Sequence, residues 1–154
     1  MSDNDSNNFV ESSGERTTTG IMTGTITYLH NTQVIPFNAH LVYRRFSEGK
    51  TQIRAIMPMP GGDGLAYEVL FKLEGSEPPS ATYIVGTPNV TDVEVFIYDD
   101  PDYQIAAESG EIILQNFTPT KKLTGLVKLK TILQGNKQYE VDAEFTIEGI
   151  ENIT

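Results

Sequence analysis

One hundred and fifty-four residues, 38% of them hydrophobic, are enough for one domain with a single core. Twenty-one aspartates and glutamates against 11 lysines and arginines give a formal charge of -10, which argues against nucleic acid and anionic membrane surfaces as partners. The absence of cysteine removes disulfide frameworks and thiolate nucleophiles, and the low charged fraction of 21% leaves a Thr, Ser, Asn, Gln, Gly and Pro balance suited to an all-β chain.

Beyond the initiating Met1, residues 1–19 hold only Phe9 and Val10 as bulky apolar side chains and are expected to form a disordered polar leader, with residues 20–154 as one all-β domain. The acidic start Met1-Ser2-Asp3-Asn4-Asp5 lacks the basic residues and apolar run of a secretory signal. No apolar stretch reaches the roughly 18 residues of a membrane-spanning helix. A cytoplasmic location is therefore expected, the alternative being a secreted protein whose signal has been removed. Asn-x-Ser/Thr triplets at Asn4, Asn89, Asn116 and Asn152 would matter only in a glycosylating compartment.

From Thr18 onward the apolar pattern has period two and is broken every eight to twelve residues by turn chemistry. Gly20 to Leu29 places Met22, Ile26 and Tyr28 on one face. Val34 to Phe46 reads as one strand with Phe37, Ala39, Leu41 and Tyr43 inward and Asn38, His40, Val42 and Arg44 outward, Pro36 confining it to an edge or a bulge. Thr51 to Met59 directs Ile53, Ala55, Met57 and Met59 inward, and Leu65, Tyr67, Val69, Phe71 and Leu73 make the cleanest alternation of the chain, against Glu68 and Lys72. Ala81 to Val85 follows a Pro-Pro loop, and then Val93, Val95 and Ile97 alternate. Tyr103 to Glu108 reads as a strand or as one helical turn through Ile105-Ala106-Ala107, ended by Ser109-Gly110. Glu111 to Phe117 and a final hairpin, Leu123 to Leu133 against Gln138 to Ile150, complete about eight to ten strands.

The hairpin has a definite expected register. A two-residue Gly135-Asn136 turn would set Lys130 opposite Val141, whereas a three-residue loop, Gln134 to Asn136, pairs Lys130 with Glu140 and Lys128 with Asp142. The second register keeps charge opposite charge. An ungapped echo at a spacing of 86 residues also relates 20–59 to 106–145, with Gly24 on Gly110, Ile26 on Ile112 and Gly49 on Gly135. It relates two three-stranded meanders that would occupy equivalent places.

Catalytic signals are sparse. His30 falls in a turn and His40 in mid-strand, no Gly-x-Ser-x-Gly occurs, and two histidines without cysteine make a poor zinc set. Glu140, Asp142, Glu144 and Glu148 share one strand face opposite lysines and read as a solvated acidic face, which leaves a carboxylate-pair hydrolase as the least favoured reading. Asp99, Asp100 and Asp102 crowd one loop; calcium favours such oxygen clusters, although the Asp-x-Asp-x-Asp-Gly spacing is absent. Val42, Ile56, Leu70, Phe96, Tyr98, Ile113, Phe117 and Ile132 are apolar on outward faces, as either a second core layer or an exposed contact surface. Phe96 and Tyr98 beside Asp99, Asp100 and Asp102 form the candidate binding site.

The expected fold is an antiparallel β-sandwich, with a closed lipocalin-like barrel as alternative. The expected function is a non-catalytic binding or self-assembly module, holding a protein partner or a second copy of itself and requiring no cofactor. A small-ligand carrier with a barrel cavity is the alternative.

Overall fold

The computed structural model describes residues 18–59, 66–97 and 104–152. They form eleven strands: β1 (Thr19–Tyr28), β2 (Gln33–Ala39), β3 (Leu41–Ser47), β4 (Lys50–Pro58), β5 (Ala66–Glu74), β6 (Ala81–Ile84), β7 (Val90–Ile97), β8 (Gln104–Phe117), β9 (Lys122–Thr131), β10 (Tyr139–Glu148) and β11 (Glu151–Asn152). A 3₁₀ turn, Thr118–Thr120, links β8 to β9. No described helix is long and apolar enough to cross a membrane. The strand order β11-β3-β4-β5-β7-β8-β9-β10-β1-β2, with β6 also on β8, makes a nearly closed, barrel-like sheet. Every pairing is antiparallel except that of β11 with β3.

Two faces can be distinguished. The front face is β6-β8-β9-β10-β1-β2 and the back face is β11-β3-β4-β5-β7 with the start of β8. Their inner surfaces meet in one apolar core, where Phe71 of β5 faces Phe145 of β10 with ring centroids 6.1 Å apart. The inward sets of β1, β4, β5 and β10 follow the alternation of the sequence, and Met22, Ile26, Ile53, Val69, Phe71, Leu73 and Ile147 are all 0% exposed. The glycine at 125 is required by this packing, because a Cβ there would stand 2.7 Å from the Phe145 ring and 2.3 Å from the Ile113 carbonyl oxygen.

The alternation changes phase at three places. The expected single strand 34–46 is interrupted at His40, where the chain leaves β1 for β4. Phe37 and Ala39 point inward before the break, but afterwards Val42 and Arg44 lie opposite Ala55 and Ile53 on the core side. The expected outward placement of Val42 and Arg44 is therefore reversed, and Leu41 and Tyr43 take the other side of the strand, where Tyr43 is still buried at 1% exposure. In β7, Asp92 adopts φ +51° at a bulge against Leu70 and Lys72, so that Val90 and Val93, three apart, are both buried. In β8 the pairing with β9 slips between Ala107 and Ser109, which inserts Glu108 as an extra residue.

Residues 104–108 are thus strand rather than helical turn. The slip carries β8 from β7 on the back face to β6 on the front. Gly110, at φ +132°, follows the bulge and lies against the Lys128 carbonyl oxygen, which a Cβ would approach to 2.1 Å.

The hairpin has the expected register, with Lys130 opposite Glu140 and Lys128 opposite Asp142. Its loop differs from the expected one. Gln134 and Lys137 exchange two backbone hydrogen bonds around a two-residue Gly135-Asn136 turn, Gly135 having φ +63°. An extra residue at Ile132-Leu133 opposite Gln138 restores the register. Buried Thr131 pins that bulge: its hydroxyl accepts from the Tyr139 N–H at 2.9 Å and donates to the Ile132 carbonyl at 3.0 Å. The echo extends to which elements pair but not to their register. Gly125, which it places on Ala39, lies opposite Leu114, whereas Ala39 lies opposite Met22, whose counterpart is Glu108.

Candidate functional site

The front face divides along its length. At one end Glu111 lies opposite Lys128, Lys128 opposite Asp142, and Lys130 opposite Glu140, as on a solvated sheet where such pairs fix register more than stability. One step along the strands the charges give way to aliphatic and threonine side chains. Ile113 lies opposite Leu126 and Leu126 opposite Glu144; Gln115, Thr124, Thr146 and Ile21 make the next row. These residues line a shallow groove of about 420 Å³ whose single carboxylate is Glu144. Ile21 and Leu126 are 39% and 40% exposed, and Ile113 is half-buried.

A second constellation lies inside one end of the barrel. Arg44 of β3 is 0% exposed, and its Nη2 donates to the Ser76 carbonyl at 3.3 Å and to Glu77 Oε1 at 3.1 Å. Asn116 of β8 donates through Nδ2 to the same Glu77 oxygen at 3.1 Å and to the Pro78 carbonyl at 2.8 Å. Lys121 Nζ lies 3.7 Å from Glu77 Oε2. Thr51 donates to the Gly75 carbonyl at 2.6 Å, and the Asn116 N–H to the Ser80 hydroxyl at 2.8 Å, so the connection between β5 and β6 is tied down at both ends. Burial pushes the Arg44 guanidinium below the usual arginine value, and the Glu77 charge and hydrogen bond oppose that shift. Burial pushes the Glu77 carboxyl up, but the Asn116 hydrogen bond, Arg44 and Lys121 together outweigh it and hold the carboxyl below its ordinary value. The triplet at Asn116 thus has its side-chain amide engaged inside the fold.

The binding site expected from sequence is only partly described. Phe96 sits half-buried on the outer back face between Glu68 and Gln104, while Tyr98, Asp99, Asp100 and Asp102 lie outside the described residues. Opposite Phe96, buried Glu68 pairs with half-buried Arg54 on the back face, at 2.6 Å and 3.4 Å. Of the other outward apolar residues, Ile56, Leu70 and Ile113 are half-buried and Phe117 and Ile132 are exposed, whereas Val42 belongs to the core. Among the described residues no three His, Asp or Glu side chains converge as a metal site. His30 and His40 are both exposed, in the β1–β2 turn and at the β2–β3 break.

Sequence reasoning missed the Arg44 cluster, because a phase counted from Phe37 sends Arg44 to solvent. It found Ile113 of the groove, but Ile21 and Leu126 gave no signal until the register placed them beside it. No protein-family model, curated protein or solved structure matches the chain.

Proposed function

We propose that the protein is a non-catalytic binding module and that the front-face groove receives a partner protein's segment of alternating apolar and basic side chains. The observation that carries this reading is the group Ile21, Leu126 and half-buried Ile113, on β1, β9 and β8 of the front face, beside the charged end of that same face. Clustered exposed aliphatic side chains on a sheet usually mark a contact surface. The basic character of the partner follows from Glu144 in the groove, from the acidic row of β10 beside it and from the chain's net charge of -10. The same net charge opposes pairing with a second copy.

Packing of the interior by Phe37, Phe71, Ile112, Leu114 and Phe145 favours a surface partner over a ligand carried in the barrel. Glu140, Asp142 and Glu148 of β10 stand exposed opposite lysines, an arrangement suited to solvation more than to a carboxylate pair in a cleft.

A titration calorimetry comparison tests the reading, with a peptide of alternating isoleucine and lysine as probe. Wild-type protein is expected to bind it, and Leu126→Lys to bind at least tenfold more weakly, because the new ammonium faces Glu144 and removes both the apolar contact and the free carboxylate. Equal affinity for the two proteins, or no binding to either, contradicts the proposal. Concentration-dependent dimerisation that Leu126→Lys abolishes would assign the groove to a second copy instead.

A further inference from the structure

The cluster inside the barrel end is overbuilt for a clamp. Two cations, Arg44 and Lys121, and one amide, Asn116, converge on the single carboxylate of Glu77. A guanidinium fork matches a carboxylate through two parallel hydrogen bonds. Glu77 takes only one of them, through Nη2, and is 31% exposed at the rim. Nε and Nη1 of Arg44 and Oδ1 of Asn116 are buried without a hydrogen-bond partner among the described residues. Leaving such groups unpaired is costly, and a buried ion pair can often be replaced by apolar side chains without loss of stability. A purely structural role therefore explains neither why an arginine stands at 44 nor why two of its three nitrogens have no partner among the described residues.

We propose that Arg44, Asn116 and Lys121 form a carboxylate-binding site that Glu77 fills from within the chain, and that a small carboxylate anion takes its place when the Glu77 side chain is removed or withdrawn. The direction of entry follows from exposure: Lys121 is 57% and Glu77 31% exposed, whereas Arg44 is closed off behind them. The site is separate from the front-face groove and stands or falls independently of it.

Thermal unfolding of Glu77→Ala in sodium acetate, against sodium chloride at equal ionic strength, tests the proposal. The substitution is expected to lower Tm by about 5–10 °C, since it strands a buried guanidinium. Acetate at tens of millimolar is expected to restore at least half of that loss saturably, while chloride does not. Adding Arg44→Met to Glu77→Ala is expected to abolish the acetate effect. Acetate no better than chloride, or an equal gain in the double variant, overturns the proposal. Should Glu77→Ala not fold, Glu77→Gln keeps an oxygen for Arg44, and its Asn116 side-chain amide resonances report the same competition. A saturable shift with acetate supports the site, and none overturns it.

Discussion

Three residues make the packing and the electrostatics of this barrel testable one side chain at a time. Gly125 is held between the Ile113 carbonyl and the Phe145 ring, neither of which can retreat without disturbing the core. Gly125→Ala is expected to cost about 2–3 kcal/mol as an overpacked site, read from denaturant unfolding. Glu77 links stability to pH. Its carboxyl lies below its ordinary value in the folded protein, so its contribution is fully present above the unfolded value of about 4.3 and is lost as pH falls through the folded value. The stability gap between wild type and Glu77→Gln is therefore expected to be constant near neutrality and to close on acidification below about pH 4.3. A gap that does not change with pH would contradict the assignment of Glu77 as a charged partner of Arg44. Thr131 is the third residue. Thr131→Val keeps the shape but removes the hydroxyl that accepts from the Tyr139 N–H, and is expected to cost about 1–3 kcal/mol in the same unfolding experiment.

Among the elements, β1, β4, β5 and β10 were legible because nothing interrupts their alternation: apart from Leu65, which lies outside the described residues, each inward residue read from period two is buried or packed against the core. The hairpin register was legible from charge, since only one pairing sets Lys128 and Lys130 opposite acids. What was not legible are the phase changes. At His40, Asp92 and Glu108 one residue is inserted or the chain changes partner, and the inward positions move from one parity to the other. A bulge keeps the residue types of a strand while breaking its period, so Ile105-Ala106-Ala107 resembled a helical turn. The hairpin loop was missed for the same reason: the Gly135-Asn136 turn and the bulge at Ile132-Leu133 offset each other, giving the register of a three-residue loop. The tip is further held by Tyr28, whose ring stacks on Tyr139 at 5.2 Å with Lys137 Nζ 5.9 Å from its centre.

For the whole molecule, these phase changes bring about the near closure of the sheet. The His40 break passes β2 into β3, and the Glu108 bulge lets β8 serve both faces. Across the remaining gap the Asn38 N–H meets Met57 Sδ at 3.1 Å. An all-β class was readable from composition and period, but closure depends on where bulges fall, which residue types do not encode. The groove was hidden likewise, because Ile21 is far in sequence from the paired Ile113 and Leu126 and reaches them only across β10, which lies between β1 and β9. Leu126→Lys is expected to leave global stability within about 0.5 kcal/mol, as an exposed site should.

The binding claim is tested most directly by methyl NMR during titration with the alternating isoleucine–lysine peptide. The account predicts saturable shifts at Ile21, Ile113 and Leu126, with core methyls such as those of Ile53 and Ile147 unmoved. Shifts confined to another surface, or none at millimolar peptide, would contradict it.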